Sequence, residues 1–251
     1  MVTGTESPVL LMLDIESERF GVRVARAPQV TTDNLDEILR CCMTGDIQLL
    51  IARCPTGDLA AAQCMEAQGF YLADTLIYYG FDLVKRAIPQ DRGGFQVRRF
   101  QPEDEPLIEA VAKEAFKGYL GHYHADPRLD RRKCDEAYVS WAKRSCVLKE
   151  VAEQVFVAER DNEVAGFATL RLNSREEGEG LLYAVAPHSQ GLGICHSLML
   201  CSLQWCSSQG AHRMVISTQV TNIVMQKVWC QIGFEPRHSF YTFHKWFTSP
   251  R

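Results

Sequence analysis

Alternating and continuous apolar runs divide the chain into strands and helices of ordinary length. Val9 to Leu13 is a short apolar run, cut off by Asp14. Gly21-Val22-Arg23-Val24-Ala25-Arg26-Ala27 alternates, as a strand buried on one face does. Thr32-Asp33 predicts the cap of a helix with apolar positions at Leu35, Ile38 and Leu39. Gln48 to Arg53 predicts a buried strand. Thr56-Gly57-Asp58 opens a helix through Leu59, Ala62 and Met65 that ends at Gly69, and Leu72 to Leu83 predicts a long strand. Ile88 to Gly94 is polar and rich in breakers. It marks a boundary between a smaller N-terminal α/β domain, 1–92, and a second domain, 93–251.

The second domain opens with a strand over Phe95 to Phe100. Pro102-Glu103-Asp104-Glu105 caps a helix with apolar positions at Leu107, Ile108, Val111, Ala112 and Ala115. A patch rich in aromatics and histidine follows, Tyr119 to Pro127, and then a helix over about 130–145 with Tyr138 and Trp141. Strands are predicted at Gln154 to Glu159 and Glu163 to Asn173, joined by a hairpin turn at Arg160-Asp161-Asn162, and at Leu181 to Val185. After a helix from Cys195 to Ser207 come a strand, Arg213 to Thr218, a helix, Asn222 to Cys230, closed by Gly233, and a last strand, Ser239 to Phe247. The order β-α-α-β-β-β-α-β-α-β gives an α/β (α+β) class with a mostly antiparallel mixed sheet. The strand, helix, Gly-Phe and strand around Gly69-Phe70 reappear around Gly233-Phe234, so the N-terminal region reads as a partial copy of the last third.

Between a strand and a helix lies Ala184-Val185-Ala186-Pro187-His188-Ser189-Gln190-Gly191-Leu192-Gly193-Ile194. Two glycines two apart let several N–H groups point one way, at the positive end of a helix dipole. Such a place accepts an anion such as a pyrophosphate. No Gly-Lys-Ser/Thr follows, and position 196 is His, so the loop is neither a Walker loop nor a full G-x-G-x-x-G.

At 251 residues, 46% hydrophobic and 23% charged, the chain has the make-up of an ordinary globular protein with a sizeable core. A net charge of −4 and no Lys/Arg block argue against nucleic acid as a partner. The apolar run at Val9 to Leu13 is too short to span a bilayer, so no membrane partner and a cytoplasmic location are expected. Ten cysteines without a Cys-x-x-Cys predict reduced thiols used as small hydrophobes, with no metal.

Gln190-Gly191-Leu192-Gly193 at a helix mouth resembles the acyl-CoA loop of the GCN5-related N-acetyltransferases (GNAT), written Gln/Arg-x-x-Gly-x-Gly/Ala. The spacing is one residue short if Gln190 leads, and the glycines fall in register if His188 leads. Thr218-Gln219-Val220-Thr221-Asn222, Gly233-Phe234 and Phe243-His244-Lys245-Trp246 resemble one branch of that family. Its best-known member acetylates the 4-amino group of a dTDP-4-amino-4,6-dideoxy sugar for surface polysaccharide, and the branch spans several amino-sugar and amine substrates. Tyr123 to Pro127 with Tyr138 and Trp141, and Ser17-Glu18-Arg19-Phe20-Gly21-Val22, are similar to it as well.

The resemblance implies a GNAT fold, with the N-terminal region on the acceptor side, and acetyl-CoA as cosubstrate. It implies a small-molecule amine as acceptor, foremost a nucleotide-linked amino sugar attacking directly. Another amine (an antibiotic, a polyamine or a protein N-terminus) and a non-catalytic CoA- or sugar-nucleotide-binding protein are the alternatives. Gln190, Gly191, Leu192, Gly193 and Ile194 would take the pyrophosphate, and the N–H of Val185 would polarise the thioester carbonyl. Asn222 is either a helix cap or a contact to the pantetheine arm. The family's usual acid is a Tyr seven residues past that Asn, and here the position is Trp229. An indole N–H donates a hydrogen bond but no proton at neutral pH. Solvent, Tyr241 or Cys230 would then protonate the thiolate. His124 is the first candidate for the base, beside Asp126 and Tyr123. Arg99, Arg128, Arg131 and Arg132 could meet a nucleotide diphosphate, although a charge run is usually a solvated face. Strand edges near 239–247 offer a surface on which two copies could pair as a homodimer.

Overall fold

The computed structural model describes residues 9–91, 94–161 and 163–247. Met1 to Pro8, the boundary residues Arg92 and Gly93, and Asn162 of the expected hairpin turn lie outside the described residues. The N-terminal elements are β1 (Leu11–Met12), α1 (Asp14–Phe20), β2 (Val24–Ala27), α2 (Leu35–Thr44), β3 (Leu49–Pro55), α3 (Leu59–Ala67) and β4 (Tyr71–Asp82). They are followed by β5 (Gln96–Arg99), α4 (Glu105–Ala115), α5 (Arg131–Val147), β6 (Gln154–Arg160), β7 (Glu163–Ser174) and β8 (Glu177–Val185). The last four are α6 (Ile194–Ser208), β9 (Arg213–Gln219), α7 (Ile223–Ile232) and β10 (Glu235–Trp246).

Four details differ from the reading above. The run opened by Asp14 is a helix, closed by Gly21 in the left-handed region. The first strand is confined to Leu11–Met12. Thr32-Asp33 does not cap α2. Asn34 is the N-cap residue, and its Oδ1 accepts from Thr31 N at 2.8 Å, which closes the preceding turn instead. β8 starts at Glu177, not Leu181. Gly178 and Gly180 interrupt its apolar pattern for a steric reason: a Cβ at Gly178 would lie 2.4 Å from Cys206 Sγ, and one at Gly180 2.8 Å from the Tyr183 ring.

The chain forms two compact units. Among the described residues one holds 9–76, 120–133 and 238–247, and the other holds those from 77 to 119 and from 134 to 237. The units are interleaved along the chain, where the sequence suggested one cut at 92/93. The internal copy explains the interleaving. Leu49, Leu59 and Tyr71 open β3, α3 and β4, and Arg213, Ile223 and Glu235, each 164 positions later, open β9, α7 and β10. The last strand of each copy is exchanged. From His238 onward β10 belongs to the first unit, and from Ile77 onward β4 belongs to the second.

In the first unit the strand order is β1-β2-β3-β10, with β2 parallel and β10 antiparallel to β3. Leu35, Ile38 and Cys42 of α2 and Ala61, Ala62 and Met65 of α3 bury one sheet face, against Ala25, Ala27, Leu50, Ala52, Cys54 and Phe243. In the second unit the order is β4-β9-β8-β7-β6-β5. One face packs on α6 and α7 through Leu198, Leu203, Trp229 and Ile232, the other on α4 and α5 through Ile108, Val111, Ala112 and Ala142. All ten cysteines are free thiols. Burial pushes Cys195 up to about 12, so it stays protonated. Among the described residues no helix is long and apolar enough to cross a membrane.

Candidate active site

The second unit opens a gap in its sheet. β8 runs parallel to β9 only from the Glu177–Arg213 pair to the Gly180–Ile216 pair. At that point β8 carries a bulge against β7: Thr169 faces Leu182, Leu170 faces Gly180, and Leu181 is the extra residue. A bulge turns the strand and ends its pairing on one side. Beyond it, β8 keeps β7 but has no β9 partner. Ala186 N donates to Ala165 O at 2.8 Å, so that residue faces β7. By strand alternation, the main-chain groups of Tyr183 and Val185 face the unpaired side. The Val185 N–H is therefore aimed into the gap.

The gap ends at the glycine loop. Pro187–Ser189 make one tight helical turn, and Gly191 (φ 77°) and Gly193 (φ 99°) sit in the left-handed region. Glycine is required at both, since a side chain there is strained. Gly193 caps α6, which runs for 15 residues and has no acidic residue in its first turn. Main-chain amides from Gly191 to His196 have no acceptor among the described residues. Gln190 acts through its side chain: Nε2 donates to Val185 O at 3.2 Å, closing the loop onto the strand end. The Arg160 guanidinium donates to His188 O and Ser189 Oγ, each at 3.4 Å, adding a cation at the flank. Unpaired amides, a helix dipole and a cation together make a seat for a diphosphate.

Across the gap, β9 ends at Thr218 and Gln219, both buried. The Tyr119 hydroxyl donates to Gln219 Oε1, and Tyr119 packs edge-on to Phe116 and Tyr138, which stack at 5.0 Å. Asn222 is the cap of α7: its Oδ1 accepts from Met225 N at 3.3 Å while its Nδ2 donates to Thr218 Oγ1 at 3.0 Å. Trp229 is 2% exposed, and its Nε1–H has no hydrogen-bond partner among the described residues. The Tyr79 ring lies edge-on to it at 5.4 Å, and the Tyr79 hydroxyl donates to Gln226 Oε1 at 3.2 Å.

Val185, Gln190 to Ile194, Asn222 and Trp229 thus share the second unit, whereas His124 and Tyr241 belong to the first. Tyr241 is half-buried against the apolar cluster of that unit, its ring 6.1 Å from that of Phe243. Asp126 is fully engaged, accepting from His244, Trp246 and Arg128 N. Cys230 is exposed. Arg128 stacks over the Trp246 ring at 4.8 Å. Sequence reading missed Gly166, whose one local signal is that it stands alone within a strand. A Cβ there would lie 2.9 Å from Ala184 O, 3.2 Å from Ile194 Cγ2 and 3.3 Å from Val185 Cγ2. This close approach seats the end of β8 and the first turn of α6 together. Gly166→Ala should cost roughly 1–3 kcal/mol of stability and weaken coenzyme A binding. Denaturant unfolding and calorimetry on the variant check both.

A family model described as Acetyltransferase (GNAT) family matches residues 108–234. The spore coat polysaccharide biosynthesis protein SpsD of Bacillus subtilis (strain 168) is 25% identical over 207 residues, 80% of this chain and 68% of the relative. Mycothiol acetyltransferase of Streptomyces avermitilis is 27% identical over 158 residues, 62% of this chain; the match spans about half of the relative, 46%. Among solved structures, a GCN5-related N-acetyltransferase from Sphaerobacter thermophilus superposes with a TM-score of 0.64 at 14% identity, over 96% of this chain and 77% of the other. A tandem GNAT protein from the clavulanic acid biosynthesis pathway gives 0.63 at 16% identity, over 92% and 77%. The fold is two GNAT-like halves in tandem. With a splayed sheet ending at an amide-lined helix mouth, and a family model over half its length, the chain belongs to the acetyltransferase (GNAT) family, whose members use acetyl-CoA as cosubstrate.

Proposed function

We propose that the protein moves acetyl from acetyl-CoA to the amine of a nucleotide-linked amino sugar. The observation that supports the cosubstrate seat is the run of unpaired amides from Gly191 to His196. The acceptor class is supported by the likeness to a spore coat polysaccharide biosynthesis protein and by the sequence motifs similar to the dTDP-amino-sugar branch. In this reading the diphosphate of acetyl-CoA lies on the loop, and its peptide-like arm fills the gap beside β8. The amine lone pair attacks the thioester carbon. The Val185 N–H donates to the oxygen as it gains charge. The C–S bond then breaks, the thiolate leaves, and the amine proton passes to water.

Trp229 takes the role of the usual phenol in part. A buried N–H left unpaired costs on the order of 1–3 kcal/mol, and a sulfur that becomes a strong acceptor only as it leaves as thiolate removes that cost in the transition state. We assign the Trp229 Nε1–H as a hydrogen-bond donor to the departing sulfur, with solvent supplying the proton. Trp229→Phe should then lower kcat by about 10- to 100-fold. Coenzyme A affinity should be unchanged and Tm should move by no more than a few degrees, since loss of the orphan offsets the smaller ring. An unchanged kcat would remove Trp229 from the chemistry.

The likeness to mycothiol acetyltransferase favours a second reading, an acceptor amine outside the nucleotide sugars. A panel of dTDP- and UDP-linked amino sugars, run beside amino-sugar thiols and polyamines with thiol release as readout, separates the two. Turnover confined to the nucleotide-linked members supports the first.

A further inference from the structure

The gap between β8 and β9 opens towards both faces of the second unit's sheet. Met214 and Ile216 of β9 pack on the α6 and α7 side, whereas Leu182 and Ala184 of β8 pack on the α4 and α5 side. The glycine loop leads into α6, so the cosubstrate reaches the gap from the α6 side. An amine attacking its carbonyl is left the α4 side. Gln219 stands there. Ile216 is the last residue of β9 paired with β8, and Gln219 lies beyond it, on the border of the gap. Strand alternation turns Gln219 away from the side of Met214 and Ile216. Its bond to Tyr119, which packs on the α4 and α5 cluster, agrees.

A chain of hydrogen bonds fixes which way the Gln219 carboxamide is turned. It starts on the main chain. Met225 N–H donates to Asn222 Oδ1 at 3.3 Å, so the other end of that side chain, Nδ2, is the donor to Thr218 Oγ1 at 3.0 Å. The Thr218 hydroxyl, having accepted, donates onward to Gln219 Oε1 at 3.4 Å. The Tyr119 hydroxyl donates to the same oxygen. Gln219 therefore engages its oxygen within the protein and presents Nε2. That group carries two N–H donors and meets no acceptor among the described residues, on a side chain whose residue is only 8% exposed.

A donor held in one orientation and largely out of water fits an acceptor atom on a ligand. A carboxamide N–H takes up no proton, so it cannot serve as the base. It can bond a hydroxyl oxygen, and a sugar that carries an amine carries such an oxygen on a neighbouring carbon. The half-buried rings of Tyr119 and Tyr138 beside it offer an apolar surface to the C–H face of a pyranose.

We propose that Gln219 reads the acceptor: its Nε2 donates to the hydroxyl on the carbon next to the reacting amine, so the site selects ring-borne vicinal amino alcohols over plain amines. The proposal deepens the amino-sugar reading above and rests on it for the class of acceptor.

The test assays the parent and Gln219→Met by thiol release from acetyl-CoA with two matched pairs of acceptors. One pair is dTDP-4-amino-4,6-dideoxygalactose and its 3-deoxy counterpart. The other is 2-aminocyclohexanol, as both diastereomers, and cyclohexylamine. Within each pair the members differ by the neighbouring hydroxyl. The parent should favour the hydroxyl-bearing member in kcat/KM, and that ratio should drop about tenfold or more in Gln219→Met. The basicity of each amine cancels in this comparison. A merely structural role would lower both rates of a pair and leave their ratio. Coenzyme A affinity, expected to match the parent, shows that the variant folds. A parent that treats the two members of a pair alike, or a ratio kept in Gln219→Met, overturns the contact and leaves acetyl transfer to the sugar standing. A preference seen on the cyclohexane pair alone, and lost in the variant, keeps the contact and removes the nucleotide. Turnover of neither pair overturns both.

Discussion

Gly191→Asp should raise the dissociation constant of coenzyme A by about 30- to 1000-fold, equivalent to roughly 2–4 kcal/mol. Two effects add. Gly191 sits at φ 77° with nothing within 4 Å of a would-be Cβ, so the substitution meets no clash but strains the backbone. Placing an L residue in the left-handed region costs about 1–2 kcal/mol, and that strain tilts the amides of Leu192 and Gly193 away from their common direction. The carboxylate also sets a negative charge at the helix mouth where the diphosphate belongs, and like charges repel most where water is displaced. Gly191→Ala separates the two, since it keeps the strain and drops the charge. Its loss should be smaller than that of the Asp variant, and the gap should narrow in high salt. Calorimetry at two ionic strengths reads both.

The second large effect concerns the first unit. His244→Ala should destabilise it by about 3–5 kcal/mol, on the order of 10 °C in Tm, because Asp126 would keep a buried charge with one partner fewer. The same network makes stability depend on pH. Asp126 is held down at about 2: burial opposes this, but the bonds from His244, Trp246 and the Arg128 N–H prevail. Its contribution is present above the ordinary carboxylate range and is lost as pH falls from about 4 towards 2. His122 is pushed well below the ordinary value of 6.5, first by burial and then by its neighbours, among them the cations of Arg26 and Arg53. The unfolded chain therefore binds a proton that the folded one refuses. Stability should begin to fall as pH drops below about 6.5, by up to about 1.4 kcal/mol per pH unit. Denaturant unfolding between pH 7.5 and pH 5 measures that slope. In His122→Gln the upper part of the slope should flatten, while the step belonging to Asp126 should remain.

Much of this architecture was legible in the chain. Apolar periodicity gave the order of elements from Gln96 to Trp246, and the echo between Gly69-Phe70 and Gly233-Phe234 announced the tandem halves. The two glycines of the loop were readable because a left-handed backbone has few other occupants. Less legible were features set by pairing in space. The start of β8 was hidden by Gly178 and Gly180, whose smallness serves Cys206 and Tyr183. The exchange of β4 and β10 between units left no local mark, since both strands look alike in sequence. His244 was visible only as part of a motif. Its bonds to Asp126 and His122 span 118 and 122 positions, and no periodicity reports contacts at that range. Asn222 carried both a cap and a ligand meaning in sequence, and the structure shows the cap.

The central claim is that main-chain amides at the mouth of α6 hold the diphosphate of the cosubstrate. A crystal structure of the protein with coenzyme A tests it most directly. The account predicts the two phosphates within hydrogen-bonding distance of the amides between Gly191 and His196, with the thiol in the gap beside Val185. A diphosphate bound away from that loop, with those amides still facing solvent, would contradict it.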